Sequence, residues 1–460
     1  MNLFKSNMAS VSPASDCAAL RHLLKSLALV LIAAHVCSAR GAAAYQRLFV
    51  DGQPGPSSTY YFPRQDFGYP WSATYVMTPG STWGIPDSTG GICFAAAYAN
   101  GNGLYKSQSD GAPAVFLSFK GATAKINGIR LISFNSKDQA AFTGASPTNP
   151  YLALWLVDAT GRLTQIAGYN DSAANGDQYG DLAAIALNDA GQVAFIAKGK
   201  TGKGAGVYLY DGSTVHPIAN SGSAAPTGGV FTKFSSVVVN NSGLVTFNAT
   251  STLSNGLAVA ANYLYDKASL VVLSSASIPI CFNDAGQLLV NEAVAGGLEI
   301  QTATSTVPVV QGPANASTPD PSTQPVTATM NNAGHVAILT ATQLILWTPQ
   351  GAHPLANVPA GSGGQIALNS SDQIVLVNTD ANKKPQLQFW NGSALLTVIP
   401  GGTDFLDGYK GFQTLGLGLA NTSPLASQSA LNDEGDVEFG VNFSGPFGYV
   451  WGLCVAKCPH

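Results

Sequence analysis

The stretch "ALNDAGQVAF", residues 186–195, decides the fold, because near-copies of it recur along the chain. The shared pattern is Asn-x-x-Gly-x-apolar-x-Phe, preceded by a short apolar run. Copies start at Asp87 ("DSTGGICF"), Asn135 ("NSKDQAAF"), Asn188 ("NDAGQVAF"), Asn240 ("NNSGLVTF"), Asn283 ("NDAGQLLV"), Asn331 ("NNAGHVAI"), Asn369 ("NSSDQIVL") and Asn432 ("NDEGDVEF"). Successive starts differ by 48, 53, 52, 43, 48, 38 and 63 residues. A period in this range points to a solenoid, a propeller or an array.

The pattern inside one period decides among them. The third copy runs "AAIALN", turn, "QVAFIA", the loop "KGKTGKGA", "GVYLYDG" and "STVHPIAN". These are short runs rich in β-branched and aromatic residues, bounded by Gly, Asn and Asp, with no long helical period. Four short antiparallel strands per unit make the blade of an all-β propeller. Third-strand segments recur as "YLALWLVD" at 151, "NYLYDKA" at 262, "QLILWTPQG" at 343, "QLQFWNGS" at 386 and "GYVWGLCV" at 448. Their aromatic residues read as packing between adjoining blades.

Eight copies predict eight blades within 87–460. Seven stays open, because Asp87 marks the most degenerate unit. The last copy supplies only three strands, and an open ring would leave a bare sheet edge. The segment "YQRLFVDG" at 45–52 has strand character and is expected to fill the missing outer place. Residues 53–86 form an aromatic-rich lead-in to the first blade.

Asn, Asp and Ser suit locally hydrogen-bonded turns, and Gly accepts positive φ without steric cost. The motif is therefore read as a tight turn between the first and second strands of a blade. Its turn residues are Asn135, Asn188, Gly191, Asn240, Gly243, Asn283, Gly286, Asn331, Gly334, Asn369, Asn432 and Gly435. Asp138 and Asp372 replace Gly in two copies, where the turn is expected to survive with more strain. A calcium loop would need a carboxylate in every copy, and Asn240 and Asn331 are followed by Asn.

Only 10% of residues are charged and the formal net charge is -4, with no basic cluster, so no nucleic-acid partner is expected. Arg21 and Lys25 precede the apolar run "SLALVLIAAHV" at 26–36 and the small residues of "CSARGAAA". Residues 1–40 read as an export signal, too short in its apolar run to span a membrane, and the product as a secreted or periplasmic protein. Four cysteines lie beyond it, and Cys454 and Cys458, four apart, read as a disulfide staple. His216 and His353 occupy equivalent repeat positions, and neither Gly-x-Ser-x-Gly nor His-Glu-x-x-His occurs. No metal or cofactor is expected.

"ALNDAGQVAFIA", "GVYLYDG", "HPIANSGSAAPTGGVFTKF" and "VNNSGLVTF" resemble the choice-of-anchor tandem repeat proteins known for their NxxGxxxAF motif. The likeness is close over about 182–250 and looser over 87–440. It implies an exported bacterial protein, and the family has no established activity to carry over. The chain departs from that family in ending at "CVAKCPH".

If both tight turns of each blade lie on one face, the longer connections occupy the other, where function usually sits. That face carries Asp171, Asp177, Asp181, Asp320, Asp404, Asp407 and Lys410, with Tyr169, Tyr179, Phe405 and Tyr409 beside them. As an enzyme, Asp177, Asp181, Asp404 and Asp407 are the candidate acid and base groups for a glycosidic bond. As a binding module, Tyr169, Asp171, Tyr179, Asp320, Phe405, Tyr409 and Lys410 would hold a glycan or a cell-surface protein. The aromatic stretch at 60–83 reads as packing against the first blade or as a ligand platform. The favoured reading is an exported, monomeric binding or cell-envelope interaction module, and the alternative a carbohydrate-active hydrolase or lyase.

Overall fold

A computed structural model describes residues 45–50, 93–98, 101–107, 113–117, 126–146, 149–173, 176–200, 205–275, 277–292, 297–310, 325–359, 364–402, 413–419, 430–445 and 448–458. The expected signal, the lead-in at 53–86 and the Asp87 turn lie outside the described residues. Within them the chain is all-β, built as a propeller of antiparallel sheets.

Eight sheets follow one another along the chain. The first spans 93–117 with three strands, and the next six span 127–167, 179–220, 230–275, 277–310, 325–357 and 365–399 with four each. The eighth combines Gln413–Leu419, Asp436–Gly445 and Gly448–Lys457 with Tyr45–Val50. Tyr45–Val50 runs antiparallel to Gly448–Lys457, with Tyr45 opposite Ala456 and Val50 opposite Gly452. It takes the fourth place of that sheet, so strands from the two ends of the described chain share one hydrogen-bonded ladder.

First strands form the inner edges. Tyr179–Leu187 touches both Asn127–Phe134 and Val230–Val239, and Pro325–Met330 touches both Ser277–Phe282 and Gln365–Leu368. The period-two alternation of each strand then feeds two interfaces at once. On Val193–Gly199, residues Val193, Phe195 and Ala197 pack against Ala141 and Leu154 of the preceding sheet, with Tyr179 of their own sheet in the same cluster. Ala194 and Ile196 pack against the following sheet with Val237, Phe247 and Tyr263. Fully burying each such Val, Ile or Phe stabilises by about 1.5–3 kcal/mol, so apolar packing supplies much of the cohesion between neighbouring sheets.

The motif turn does more than reverse the chain. Within one turn the Asn188 carbonyl accepts from the Gly191 N–H at 3.1 Å, and its Oδ1 accepts from the N–H groups of Ala190 (3.1 Å) and Gln192 (2.8 Å). Gly191 has φ +74°, and Asp138 and Asp372 adopt +58° and +60° at the same place. The remaining group, Nδ2, leaves the sheet. It donates from Asn135 to the Asn188 carbonyl (2.8 Å), from Asn188 to Asn240 (2.7 Å), and from Asn240 to Asn283 (2.8 Å). The series continues from Asn283 to Asn331, from Asn331 to Asn369, and from Asn369 to Asn432, each at 3.0 Å.

A second belt runs beside the first. The N–H of Ser136 donates to Asp189 Oδ1, that of Asp189 to Asn241 Oδ1, and that of Asn241 to Asp284 Oδ1, at 2.8–2.9 Å. The first belt thus ties each sheet from 127–167 onward to the next, the second adds bonds at some of these junctions, and the carboxylates of Asp189 and Asp284 are occupied as acceptors.

The expected staple is corrected. Cys458 is a free, buried thiol. Cys454 lies within the extended strand Gly448–Lys457, where four residues of rise separate it from Cys458 by roughly 13 Å, beyond the reach of a disulfide.

Candidate functional site

Because successive strands are antiparallel, the Asn turns and the Asp-Gly-Ser turns fall on one face of the propeller. The Asp211 turn is of this second kind: Oδ1 accepts from the N–H groups of Ser213 and Thr214, both at 2.8 Å. These backbone donors, Thr214 first, and then His216 hold the Asp211 carboxyl below the usual carboxylate range. The opposite face carries the longer connections.

The described residues of the connection at 168–179 pair as a small hairpin. The Asn170 N–H donates to the Tyr179 carbonyl and the Tyr179 N–H to the Asp171 carbonyl, both at 2.9 Å. Asp171 Oδ2 accepts from the Gly168 N–H at 2.6 Å and from Gln165 Nε2 at 3.2 Å. The connection at 220–231 repeats this arrangement, with Gly222 bonded to Phe231 and Phe231 to Ser223. Asp171 therefore corresponds to Ser223, and Tyr179 to Phe231. Both are repeat positions, and the second is apolar in the neighbouring blade.

Five of the residues expected on this face can be placed. Tyr179 is buried, edge-on to Tyr208 at 5.2 Å between ring centroids and to Phe195 at 5.9 Å. Burial, then Tyr208 and Asp171, raises its phenol above the ordinary range. It is core rather than a ligand contact. Asp177 is 4% exposed and accepts from the Gln178 N–H at 2.7 Å. Burial, and next the nearby Asp177 carboxylate, pushes the Tyr208 phenol up to about 12. Asp181 is exposed on the first strand Tyr179–Leu187. Asp177 is thus withdrawn from the surface that Asp181 faces. Asp320, Asp404, Phe405, Asp407, Tyr409 and Lys410 lie outside the described residues.

Tyr169 has a different setting. It stacks on Tyr151 with ring centroids 4.6 Å apart and planes 19° from parallel. Lys200 Nζ stands 5.5 Å from the Tyr169 centroid. The three come from separate elements. Tyr151 lies near the start of Asn149–Val157, Tyr169 in the hairpin connection, and Lys200 just beyond Val193–Gly199. The Lys200 N–H donates to the Gln178 carbonyl at 2.9 Å, which ties it to the same hairpin. Tyr151 is 53% exposed, whereas Tyr208, Tyr263 and Phe389 on other third strands are buried.

Reading the sequence missed Tyr151 and Lys200. "YLALWLVD" at 151 reads as interblade packing, and the position of Tyr151 near the start of Asn149–Val157 is the signal that sets it apart. Stacked rings beside an ammonium can hold a flat, weakly polar ligand face and an anionic group. Among the described residues no group of His, Cys, Asp and Glu is arranged to hold a metal ion.

Residues 87–267 match a family of unknown function, DUF7453. No curated protein sequence matches the chain. Among solved structures it is similar to the β-propeller domain of the Trilobed protease from Pyrococcus furiosus, with 11% identity over 71% of this chain and 99% of that one and a TM-score of 0.41. It is also similar to a streptogramin B lyase, at 12% identity over 71% and 93% of the two chains and a TM-score of 0.32. A third likeness is to prolyl oligopeptidase B from Galerina marginata, at 9% identity over 78% of this chain and 54% of that one, with a TM-score of 0.43. The propeller architecture rests on the strand pairing within the chain itself.

Proposed function

We propose that this protein is an exported binding module, an eight-bladed ring closed by Tyr45–Val50 that presents a ligand surface on its long-connection face. One observation carries this reading: Tyr151 is 53% exposed and stacks on Tyr169, whereas Tyr208, Tyr263 and Phe389 on other third strands are buried. Exposed aromatic pairs held by backbone hydrogen bonds lose little conformational freedom on binding, which suits recognition. The belt of Asn side chains supports the same division of labour, since it stiffens one face and leaves the other to vary.

Export, a monomeric state and a glycan or cell-surface protein as partner belong to this proposal, as does membership of the choice-of-anchor repeat group. Screening the mature protein on glycan and polysaccharide arrays, with released products followed by mass spectrometry in the same wells, tests it. Retention without turnover is the expected result. Released oligosaccharide would overturn it in favour of a hydrolase or lyase.

A further inference from the structure

We propose that Tyr151, Tyr169 and Lys200 form a subsite for an anionic pyranose glycan, one whose sugar units carry carboxylate or sulfate groups. The proposal rests on the binding-module reading above and narrows it to a place and a ligand chemistry.

Three observations converge. First, Tyr151 exposes half of its surface while its ring is fixed by stacking on Tyr169. A fixed, exposed ring offers its electron-rich face to the C–H face of a pyranose. Second, Lys200 has no carboxylate partner among the described residues, and its ammonium lies over the ring of Tyr169, 5.5 Å from the centroid. An ammonium held next to an aromatic platform without a protein counter-ion selects for an anion on whatever covers the platform. Third, two of the three acidic groups close by are employed or withdrawn. Asp171 accepts from Gly168 and Gln165, and Asp177 is buried. Asp171 and Asp181 are both exposed, and the exposed Lys198 lies on the strand beside Asp181, two residues from Lys200.

The alternation of strand directions explains why these side chains meet. A third strand begins, a second strand ends and a fourth strand leaves for the next blade, all on the same face. Tyr151 comes from one blade, Lys200 from the next and Tyr169 from the connection between them, so the subsite spans a blade boundary.

The test is calorimetric titration of the mature protein with three oligosaccharides: polygalacturonate, a sulfated galactan and a neutral cello-oligosaccharide. An anionic ligand is expected to bind and the neutral one to bind more weakly, and the two anionic arms identify the acid group. Tyr151→Ala and Tyr169→Ala should each weaken binding by roughly tenfold or more, with Tyr151→Phe retaining most of it. Lys200→Gln should remove the preference for the anionic ligand, Lys200→Arg should keep it, and added salt should weaken only the anionic complex. Circular dichroism melts of each variant separate a lost contact from a lost fold.

Equal affinity for all three ligands, or an unchanged preference in Lys200→Gln, would overturn the anionic assignment. A bound glycan indifferent to Tyr151→Ala would overturn the subsite and leave the binding module standing elsewhere on the face. Failure to bind either anionic ligand, with another ligand captured in the wider screen, would also overturn the subsite alone. Silence across the whole screen would remove the binding-module reading with it.

Discussion

Asn188 donates its Nδ2 hydrogen to the backbone carbonyl of Asn240, 2.7 Å away and 52 residues along the chain. Its other Nδ2 hydrogen goes to Gln192 Oε1 at 2.8 Å, and the side chain is wholly buried. Every hydrogen-bonding position of this amide is therefore in use, and half of its donors serve the neighbouring blade.

This relationship separates two roles that look alike in sequence. If Asn188 only shaped its turn, Asn188→Asp would be nearly silent, because Asp forms the same turn. The belt predicts otherwise: a carboxylate oxygen would replace Nδ2 against the Asn240 carbonyl. Asn188→Asp should destabilise about as much as Asn188→Ala, each by about 2–4 kcal/mol, from the orphaned buried groups. Denaturant melts of the two variants check this, and a near-silent Asp variant would leave only the turn role.

Asp372 gives a second contrast. Its φ of +60° favours Gly, yet its carboxylate accepts from His335 Nδ1 at 2.8 Å and from Asn331 Nδ2 at 3.0 Å. Asp372→Gly should thus destabilise by about 1–2 kcal/mol despite relieving the backbone, since the lost acceptor outweighs the gain. A rise in melting temperature would show that strain is the larger effect.

Glu438 occupies the place that other copies fill with Ala141, Ala194, Thr246, Leu289, Ala337 and Val375. It is fully buried, and neither carboxyl oxygen has a hydrogen-bond partner. Burial alone drives its acid group well above the usual carboxylate range. A carboxyl whose folded value is raised stabilises the fold fully below its unfolded value, and that stability is lost as pH rises toward the folded value. The terminal sheet should therefore weaken as pH climbs above about 4.3. Glu438→Leu should gain roughly 1–3 kcal/mol at neutral pH and flatten that part of the profile. Melting temperatures from pH 4 to 8 are the measurement, and a Glu438→Leu variant that melts lower at neutral pH would count against the account.

Cys281 and Cys458 are buried thiols, with burial pushing the first up to about 11 and the second, aided by Asp436, up to about 12. Both should resist alkylation by iodoacetamide in the native state and react on unfolding. Peptide mapping after pulse labelling reads this directly, and rapid native labelling of Cys458 would show that its sheet opens.

Tyr45–Val50 pairs along Gly448–Lys457 and leaves the latter's outer edge bare if removed. Deleting residues 45–50 should lower the melting temperature by several degrees and promote association through the exposed edge. Calorimetry with light scattering tests both, and an unchanged melt would show that the ladder adds nothing.

The repeat was legible in the sequence because a blade is a local object. The turn chemistry of Asn188 and Gly191, the alternation of "QVAFIA" and the strand missing from the last copy all act over a few residues, so they determine the blade, its strand order and the need for Tyr45–Val50. What the blades do to one another was not legible. That Asn188 crosses to Asn240, that Tyr179 turns inward while Tyr169 and Tyr151 meet outside, and that Cys454 and Cys458 are held apart by an extended strand all depend on which residues converge across a blade boundary or along a strand direction. Residue type sets what a side chain can bond to, but only packing decides which partner comes within reach.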